Sequence, residues 1–209
     1  MAGPATRMNV RRITPRDAWE AGYVLTDSHQ DYPAFRHCFP DPGQRRQVIR
    51  TVMGAAALDV ARRGMGYLAR IRGVAVGAAL WLPPGVPPRR GWDTVRLSAA
   101  MLPAVWSGRT RFFAFARVGT ALEHDAESED GWYLQALGVD PRQQGRGIGS
   151  RVLAPILEAA DSRGVTCALH TSDPANTAFY ERLGFVVVAP LRPVTPGGPA
   201  YLRMRRHPR

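Results

Sequence analysis

Apolar and polar segments alternate most clearly in the C-terminal half of the chain. An apolar run at Trp132–Val139 predicts a strand, and a glycine-rich stretch then leads into an amphipathic pattern that predicts a helix to about Arg163. Four further elements follow as strand, helix, strand and strand, at Val165–Thr171, Pro174–Leu183, Phe185–Val188 and Ala200–Met204. Alternating strands and helices predict an α/β sandwich.

The N-terminal half is predicted to contain a strand, a helix, a loop, a second helix, a β-hairpin and two more helices. Thr14-Pro15 is a suitable start for the first helix, because Thr caps helices and Pro fits the first helical position. The loop carries three prolines and is expected to be rich in turns. In order, these elements are placed at Asn9–Ile13, Thr14–Asp27, Asp31–Gly43, Gln44–Arg63, Tyr67–Ile71 with Val74–Leu82, Thr94–Trp106 and Phe112–Glu127.

The composition is that of an ordered globular protein. With 209 residues and an apolar share of 45%, the chain is expected to form one elaborated domain over residues 1–209. Its longest apolar stretch is too short to cross a bilayer of about 30 Å, and its first residues lack the apolar core of a secretory signal. Cys38 and Cys167 make no disulfide framework. A cytoplasmic protein with no membrane partner is therefore expected.

The net charge of +11 raises the question of a nucleic-acid partner. All 28 basic residues are arginines, spread along the chain, and only Arg203–Arg209 is locally dense. Basic patches bind polyanions, but arginine without any lysine also fits a compositional bias, and a phosphate-bearing coenzyme would attract the same side chains. Nucleic acid is therefore not expected as a partner.

The segment Gln144–Gly149 predicts an anion site. A strand ends at Val139, Asp140-Pro141 turns the chain, and glycines spaced G-x-G-x-G lead into the next helix. The first N–H groups of a helix lack an intrahelical partner, the helix dipole favours negative charge there, and glycines let the backbone approach phosphate oxygens. Neither the Lys-Ser/Thr of a P-loop nor the G-x-G-x-x-G of a dinucleotide fold is present.

A second motif occupies the segment Asp173–Phe185. Asp173 is a suitable N-cap, and Gly184 is placed to end the helix. Asn176 and Tyr180 are four residues apart, so both are expected to project from one helix face. The aromatic residues of this segment could equally pack in a helix–sheet core.

Together the two motifs resemble those of the GNAT superfamily of N-acetyltransferases. Gln144, Gly147 and Gly149 meet its Gln/Arg-x-x-Gly-x-Gly/Ala signature, and the later segment is similar to its N-x-x-F/Y-Y-x-x-x-G-F element. DYPAFRH, ALWLPPG, WYLQALGVDPRQQGRGIGS and FYERLGF follow one another as in the branch of puromycin N-acetyltransferase and its actinobacterial relatives. The resemblance implies a mixed, mostly antiparallel central sheet flanked by helices, in a three-layer sandwich.

The resemblance also implies an acetyl-CoA-dependent N-acetyltransferase, with acetyl-CoA as co-substrate and no metal ion. The coenzyme would contact the end of the strand before the glycine loop, the loop itself and the helix of the second motif. The residues implied are Leu137, Gly138, Val139, Gln144, Gly145, Arg146, Gly147, Ile148, Gly149, Ser150, Asn176 and Phe179. Tyr180 would act as the general acid that protonates the departing sulfur.

The group that removes the amine proton is where the chain departs from the resemblance. Relatives often carry Glu in the strand before the loop, where this chain has Gln135, and the puromycin branch has Glu in the next strand, where this chain has His170. Glutamine does not accept a proton usefully, whereas histidine, with a reference pKa of about 6.5, does. His170 is the candidate base, and a structural histidine, a contact to the acceptor or a water chain are the alternatives.

The acceptor is expected to be the primary amine of a small molecule, with a peptide or protein amine left open. Four aromatic residues, Tyr32, Phe35, Trp81 and Trp132, are candidates for its pocket, although each could belong to the core. Monomer and homodimer are both compatible with the sequence. A catalytically silent acyl-CoA-binding regulator of the same fold is the alternative to an enzyme, because the usual carboxylates are replaced.

Overall fold

A computed structural model describes residues 8–85, 99–106, 111–113, 115–119, 122, 131–191, 193 and 197–209. The strands are β1 (Met8–Arg12), β2 (Met65–Ile71), β3 (Val74–Leu82), β4 (Trp132–Val139), β5 (Cys167–Thr171), β6 (Val186–Leu191) and β7 (Tyr201–Arg206). The helices are α1 (Ala18–Ser28), α2 (Pro33–Cys38), α3 (Pro42–Arg63), α4 (Ile148–Arg163) and α5 (Thr177–Arg182). Short 3₁₀ turns precede three of them, at Pro15–Asp17, Pro141–Gln143 and Pro174–Asn176.

The seven strands form one sheet in the order β1-β2-β3-β4-β5-β7-β6. Each neighbouring pair is antiparallel except β4 and β5, which are parallel. Helices α1 and α3 pack on one face of the sheet and α4 on the other, each over its own apolar core. This arrangement confirms the predicted three-layer α/β sandwich with a mixed, mostly antiparallel sheet.

Helices α1 and α3 pack closely because each has a glycine at the contact. A Cβ on Gly22 of α1 would lie 2.8 Å from the Cα of Gly54 in α3, which is closer than side chains tolerate. Leu25 of α1 and Ile49 of α3 are fully buried beneath this contact. The packing holds the C-terminal end of α1 against the sheet, where the candidate site lies.

The hairpin between β2 and β3 turns at the two predicted residues. Arg72 and Gly73 have φ of 52° and 81°, and two consecutive positive φ values are the signature of a type I′ turn. Such a turn matches the twist of the flanking strands, so it fixes the register of β3, the neighbour of β4.

The expected loop at Asp31–Gly43 was wrong, because its middle is helix α2. Pro33 occupies the first helical position of α2, and Pro42 does the same in α3, which starts two residues before the predicted Gln44. The Asp41 carboxylate caps α3 by accepting the Gln44 N–H at 2.7 Å. These prolines begin helices, since a proline at the first helical position loses no hydrogen bond.

The other predicted elements are confirmed with small shifts of their ends. The first predicted helix is divided, because Thr14 caps the 3₁₀ turn Pro15–Asp17 before α1 begins. Residues 99–106, 111–113 and 115–119 are helical, in agreement with the prediction, and the rest of those two predicted helices lies outside the described residues. Within the described ranges, no helix has both the length and the apolar character needed to cross a bilayer.

Candidate active site

The glycine loop between β4 and α4 has the backbone of an anion cradle. Gly145 and Gly147 both have φ of 73°, a left-handed conformation that residues with side chains disfavour. A Cβ at either position would meet no heavy atom within 4 Å, so conformation, and not space, requires these glycines. Gly147 is the N-cap of α4, and the first N–H groups behind it have no intrahelical acceptor. The loop therefore presents N–H donors and the positive end of the helix dipole at one place.

Hydrogen bonds tie the cradle to the end of β4. The Asp140 N–H donates to the Val76 carbonyl at 2.9 Å, and Gln144 Nε2 donates to the Val139 carbonyl at 3.3 Å. The Asp140 carboxylate accepts the Arg142 N–H at 3.0 Å and two bonds from its guanidinium. These bonds hold the pKa of Asp140 below its ordinary value. The loop is thus fixed in position relative to the strand.

The remaining predicted residues of the cradle differ in what they contact. Arg146 is exposed and donates to Gln143 Oε1 at 2.5 Å. Ile148 is 2% exposed and packs into the core below α4. Ser150 is half-buried in the first turn of α4. Arg146 therefore adds positive charge to the surface of the cradle, while Ile148 anchors it from beneath.

Gly149 brings the two sequence motifs into contact. It is buried in the first turn of α4, and a Cβ there would lie 3.1 Å from Cζ of Phe179 in α5. A side chain at position 149 would push α5 away from the start of α4. The short residue therefore sets the distance between the cradle and the helix that carries Tyr180.

The sheet opens between β4 and β5. These strands pair only at Trp132–Leu134 with Cys167–Leu169, whereas β4 continues to Val139 paired with β3. Among the described residues, no strand pairs with the β5 side of Leu137–Val139. A strand edge without a partner presents N–H and C=O groups to a ligand. The gap leads directly to the cradle, which follows Val139 in the chain.

The end of α1 lies directly on β4 at Gly138. A Cβ on Gly138 would overlap Ser28 Oγ and would lie 3.0 Å from Cδ2 of Leu25. Only glycine fits under the last turn of α1 at this point. The loop after α1 is therefore placed beside the unpaired edge of β4.

Tyr180 is the buried residue of α5, with 8% of its surface exposed. Its ring packs edge-on against Phe179 and Phe185, with centroids 5.1 and 5.8 Å away. Burial, with a smaller effect of the Tyr32 phenol, raises the pKa of Tyr180 well above its ordinary value of 10. No residue in the described part of the chain forms a hydrogen bond with its hydroxyl. Tyr180 therefore keeps its proton at neutral pH and has it available to donate.

Asn176 lies one helical turn before Tyr180 and is half-buried. Its Nδ2 is 3.5 Å from Asp173 Oδ2, and the Asp173 carboxylate accepts the Ala175 N–H at 3.0 Å. The second bond confirms Asp173 as an N-cap, here of the 3₁₀ turn that precedes α5. Gly184, with φ of 92°, follows the end of α5 as predicted.

Tyr32 connects the loop after α1 with the end of β5. Its hydroxyl accepts the Ser172 N–H at 2.7 Å and donates to Thr171 Oγ1 at 3.4 Å. Tyr32 is half-buried, and its bonds to Ser172 and Thr171 place its hydroxyl at the end of β5, beside the gap. It is the predicted acceptor-pocket residue that the structure places near Tyr180.

The other three aromatic candidates for the acceptor pocket lie in the cores. Phe35 is 4% exposed and stacks with Phe115 at 4.8 Å between ring centroids. Trp81 and Trp132 are 0% and 4% exposed, in the core beneath α4. Alternation along β3 and β4 directs these two side chains to the α4 face of the sheet. The structure therefore gives Trp81 and Trp132 a packing role in the core.

His170 and Gln135 lie on the part of the sheet that leads into the gap. His170 Nδ1 is 3.1 Å from the Tyr133 hydroxyl, and His170 stands opposite Arg203 of β7. Gln135 is the extra residue of a β-bulge, because Leu80 pairs with Ala136 and Trp81 with Leu134. Gln135 Oε1 is buried and accepts no hydrogen bond from the residues that the structure describes.

His29 is a residue of this site that the sequence interpretation missed. It follows α1 directly, and its ring lies 5.4 Å from that of Tyr32. The signal available in the sequence was a histidine at the predicted end of a helix, three residues before Tyr32. Neither position nor spacing distinguishes such a residue from an ordinary helix-capping histidine.

Comparison with known proteins identifies the family. The family model described as "Acetyltransferase (GNAT) family" matches residues 25–185, a span that contains the cradle, the gap and Tyr180. The chain belongs to the GNAT acetyltransferase family. A protein of Schizosaccharomyces pombe named as an uncharacterized N-acetyltransferase is 27% identical to it in an alignment of 192 residues. The alignment covers 86% of this acetyltransferase and 74% of the relative.

Solved structures share the fold of this acetyltransferase. A Corynebacterium glutamicum structure named "histone acetyltransferase HPA2 and related acetyltransferase" superposes with a TM-score of 0.68 at 22% identity, over 97% of both chains. A polyamine N-acetyltransferase of Drosophila melanogaster, which forms N-acetylagmatine, superposes with a TM-score of 0.60 at 15% identity, over 96% of this chain and 100% of that one. At these identities the likeness shows the fold alone.

The protein is an acetyl-CoA-dependent N-acetyltransferase that uses acetyl-CoA as its co-substrate. The residues present fit this molecule. The left-handed glycines and the start of α4 form an open cradle for a pyrophosphate, and the unpaired edge of β4 offers backbone partners to an amide-containing arm.

Proposed function

We propose that this acetyltransferase moves the acetyl group of acetyl-CoA to the primary amine of a small molecule, by direct attack of the amine on the thioester. The observation that carries the proposal is the arrangement of Tyr180 next to the gap between β4 and β5, with the cradle at the end of the same gap. A single bound molecule could reach the cradle with its phosphates and Tyr180 with its sulfur. Direct transfer requires no covalent intermediate on the enzyme, so both substrates must be bound together.

The binding of the co-substrate is assigned to three groups of residues. The N–H groups of the loop Gln144–Gly149 and of Ser150 would hold the pyrophosphate, with Arg146 at its surface. The edge Leu137–Val139 would pair with the amide groups of the arm as an additional strand does. Asn176, just before α5, and Phe179, in α5, would border the arm on its other side. Each assignment remains a proposal.

The chemistry of the transfer is assigned to the backbone of β4 and to Tyr180. Acetyl-CoA supplies an activated acetyl group. As the amine attacks, negative charge develops on the carbonyl oxygen, and a backbone N–H in Leu137–Val139 would stabilise it. The sulfur then leaves as a thiolate and requires a proton. Tyr180 holds that proton because burial raises its pKa, and a thiolate beside it is a stronger base than water.

The amine must lose a proton during the reaction. Gln135 occupies the position where relatives often carry a carboxylate, and an amide does not take a proton. His170, on the next strand, stays the predicted base from the sequence. Its Nδ1 shares a hydrogen bond with the Tyr133 hydroxyl.

A small-molecule acceptor is proposed because Tyr32 narrows the acceptor side of the gap. Its hydroxyl is bonded to the end of β5, so it bridges the α1 loop and the sheet. Such a bridge suits an amine on a short or flat molecule better than a folded protein surface. Kinship with the puromycin N-acetyltransferase branch remains a prediction based on four sequence segments.

The test of the proposal is thiol release from acetyl-CoA over a panel of amines. The panel includes agmatine, benzylamine and a peptide beginning with alanine, so that small-molecule and peptide acceptors are compared directly. Tyr180→Phe should lower kcat by about 10²–10³ and leave the Kd for acetyl-CoA nearly unchanged. Turnover of the peptide, and of none of the small amines, would contradict the proposed acceptor.

A further inference from the structure

His29 has a fixed orientation at the end of α1. Its Nδ1 lies 2.8 Å from the Leu25 carbonyl and 2.9 Å from Ser28 Oγ. A carbonyl oxygen only accepts hydrogen bonds, so Nδ1 must carry the proton in this contact. In the neutral ring the lone pair is then on Nε2, and no described residue forms a hydrogen bond with Nε2. A histidine whose Nδ1–H is held by an acceptor and whose Nε2 is unprotonated has the arrangement of a general base.

The residue lies between the two sides of the gap. Ser28, directly before it, covers Gly138 on the unpaired edge of β4. On the other side, its ring packs at 5.4 Å against Tyr32, whose hydroxyl is bonded to Ser172 at the end of β5. His29 is therefore placed where an acceptor must approach an acetyl group held at Gly138.

We propose that His29, rather than His170, takes the proton from the attacking amine. The inference rests on the proposed function. An N–H bond of the amine breaks as Nε2–H forms, the amine nitrogen bonds to the acetyl carbon, and the carbon–sulfur bond breaks. Tyr180 gives its proton to the thiolate. His29 then releases its proton to water and Tyr180 regains one, so that amide and free thiol are the net products.

The surroundings of His29 suit a group that must be neutral first and charged later. Burial lowers its pKa below the ordinary 6.5, while the bond to the Leu25 carbonyl opposes part of that shift. The ring is therefore neutral at pH 7. When Nε2 takes a proton, the negative end of the α1 dipole and the Leu25 carbonyl bonded to Nδ1 stabilise the charge.

Among the residues that the structure describes, few charged groups face this ring. Of these residues, Tyr32 at the start of α2 is the titratable side chain that packs on the ring, and Phe35 of α2 is apolar. Asp27 is half-buried and ion-paired with Arg46 at 2.7 Å, and Asp31 is exposed in the loop. The pKa of His29 therefore follows its own burial and its bond to the Leu25 carbonyl.

His170 has contacts that suit a structural role. It stands opposite Arg203 in β7, and its Nδ1 shares a hydrogen bond with the Tyr133 hydroxyl, which joins β4 and β5.

The kinetic test compares His29→Gln, His170→Gln and a matched control, His37→Gln, which changes an exposed histidine of α2. Thiol release is followed from pH 5 to 9 with the best acceptor of the amine panel. His29→Gln should lower kcat about 100-fold and leave the Kd for acetyl-CoA unchanged. It should also remove the fall in rate at acid pH that we expect of the wild type, in which burial holds the pKa of His29 below 6.5. His37→Gln should behave as wild type.

A rescue experiment distinguishes a base from a structural residue. Added imidazole should restore part of the activity of His29→Ala, which a merely structural role would not allow.

Two results would overturn the proposal. One is that His170→Gln, and not His29→Gln, loses most of the rate and its fall at acid pH. The other comes from long-range ¹H–¹⁵N NMR spectra of the imidazole rings, assigned with His29→Gln. We expect His29 to be the Nδ1–H tautomer at pH 7, and an Nε2–H tautomer would refute the role of Nε2 whether or not any amine is turned over. If the wild type acetylates no amine of the panel and His29 is the Nδ1–H tautomer, the proposed small-molecule acceptor is wrong, whereas the hydrogen-bonding arrangement of His29 is confirmed.

Discussion

Substitution of Gly138 by alanine tests the contact between α1 and β4. The new methyl group would overlap Ser28 Oγ and would lie 3.0 Å from Leu25 Cδ2 and 3.1 Å from Ser28 Cβ. Ser28 cannot simply rotate away, because its hydroxyl is 3.0 Å from the Leu25 carbonyl and 2.9 Å from His29 Nδ1. Either α1 or β4 must shift.

The expected cost follows from overpacking. An added methyl in a well-packed site lowers the free energy of unfolding by about 1–3 kcal/mol. For a chain of this size each kcal/mol corresponds to about 2–4 °C in Tm, so Gly138→Ala should melt roughly 2–12 °C below wild type. Gly43→Ala is the control, because a Cβ at Gly43 has its nearest neighbour at 3.4 Å. Gly43 lies in helix α3, where alanine is favoured over glycine, so the control should leave Tm unchanged or raise it slightly.

The assay is thermal and urea unfolding of the two single variants, of Ser28→Ala and of the double variant Ser28→Ala/Gly138→Ala. Ser28→Ala removes the overlapping oxygen, so the cost of Gly138→Ala should fall by about 1 kcal/mol in that background. An unchanged Tm for Gly138→Ala, or the same loss in both backgrounds, would refute the assigned contact.

Three further predictions follow from the structure. Hydrogen bonds from Arg206 lower the pKa of Asp161 from 3.8 to about 2, so the stability that Asp161 contributes is complete above pH 3.8 and is lost as the pH falls toward 2. Asp161→Asn should therefore lower the free energy of unfolding by about 1–3 kcal/mol at pH 7 in urea, and an unchanged free energy would contradict this. Gly147→Ala should weaken binding of coenzyme A in calorimetry, whereas Gly73→Ala, which strains a turn with similar positive φ, should lower stability only. Burial raises the pKa of Cys167 to about 12, so Ellman's reagent should label it only after unfolding, and rapid labelling of the native protein would contradict its burial.

Much of the fold could be predicted because local signals agreed with the tertiary structure. Arg72-Gly73 between two apolar runs predicted the hairpin, and the structure has the two left-handed residues that its turn requires. Helix α2 was missed because three prolines in thirteen residues resemble a loop. Whether a proline begins a helix or interrupts one depends on the residues that pack around it, here Phe35 and Phe39 in the core.

The candidate site was predictable on its co-substrate side and less so on its acceptor side. The cradle depends on contiguous residues, so its pattern is visible in the sequence, and Gly145 and Gly147 have the backbone that this pattern requires. The acceptor side is assembled from distant segments. Only the folded chain shows that Tyr32 reaches Ser172 while Trp81 is buried on the opposite face.

The narrow pairing of β4 with β5 has a mechanical consequence. Three residue pairs join a four-stranded N-terminal part of the sheet to a three-stranded C-terminal part, so this seam is the weakest line across the sheet. A co-substrate arm bonded along Leu137–Val139 would act as a cross-link at that line. Binding should therefore slow amide hydrogen exchange on both sides of the seam, and departure of the coenzyme returns the two parts of the sheet to their looser coupling.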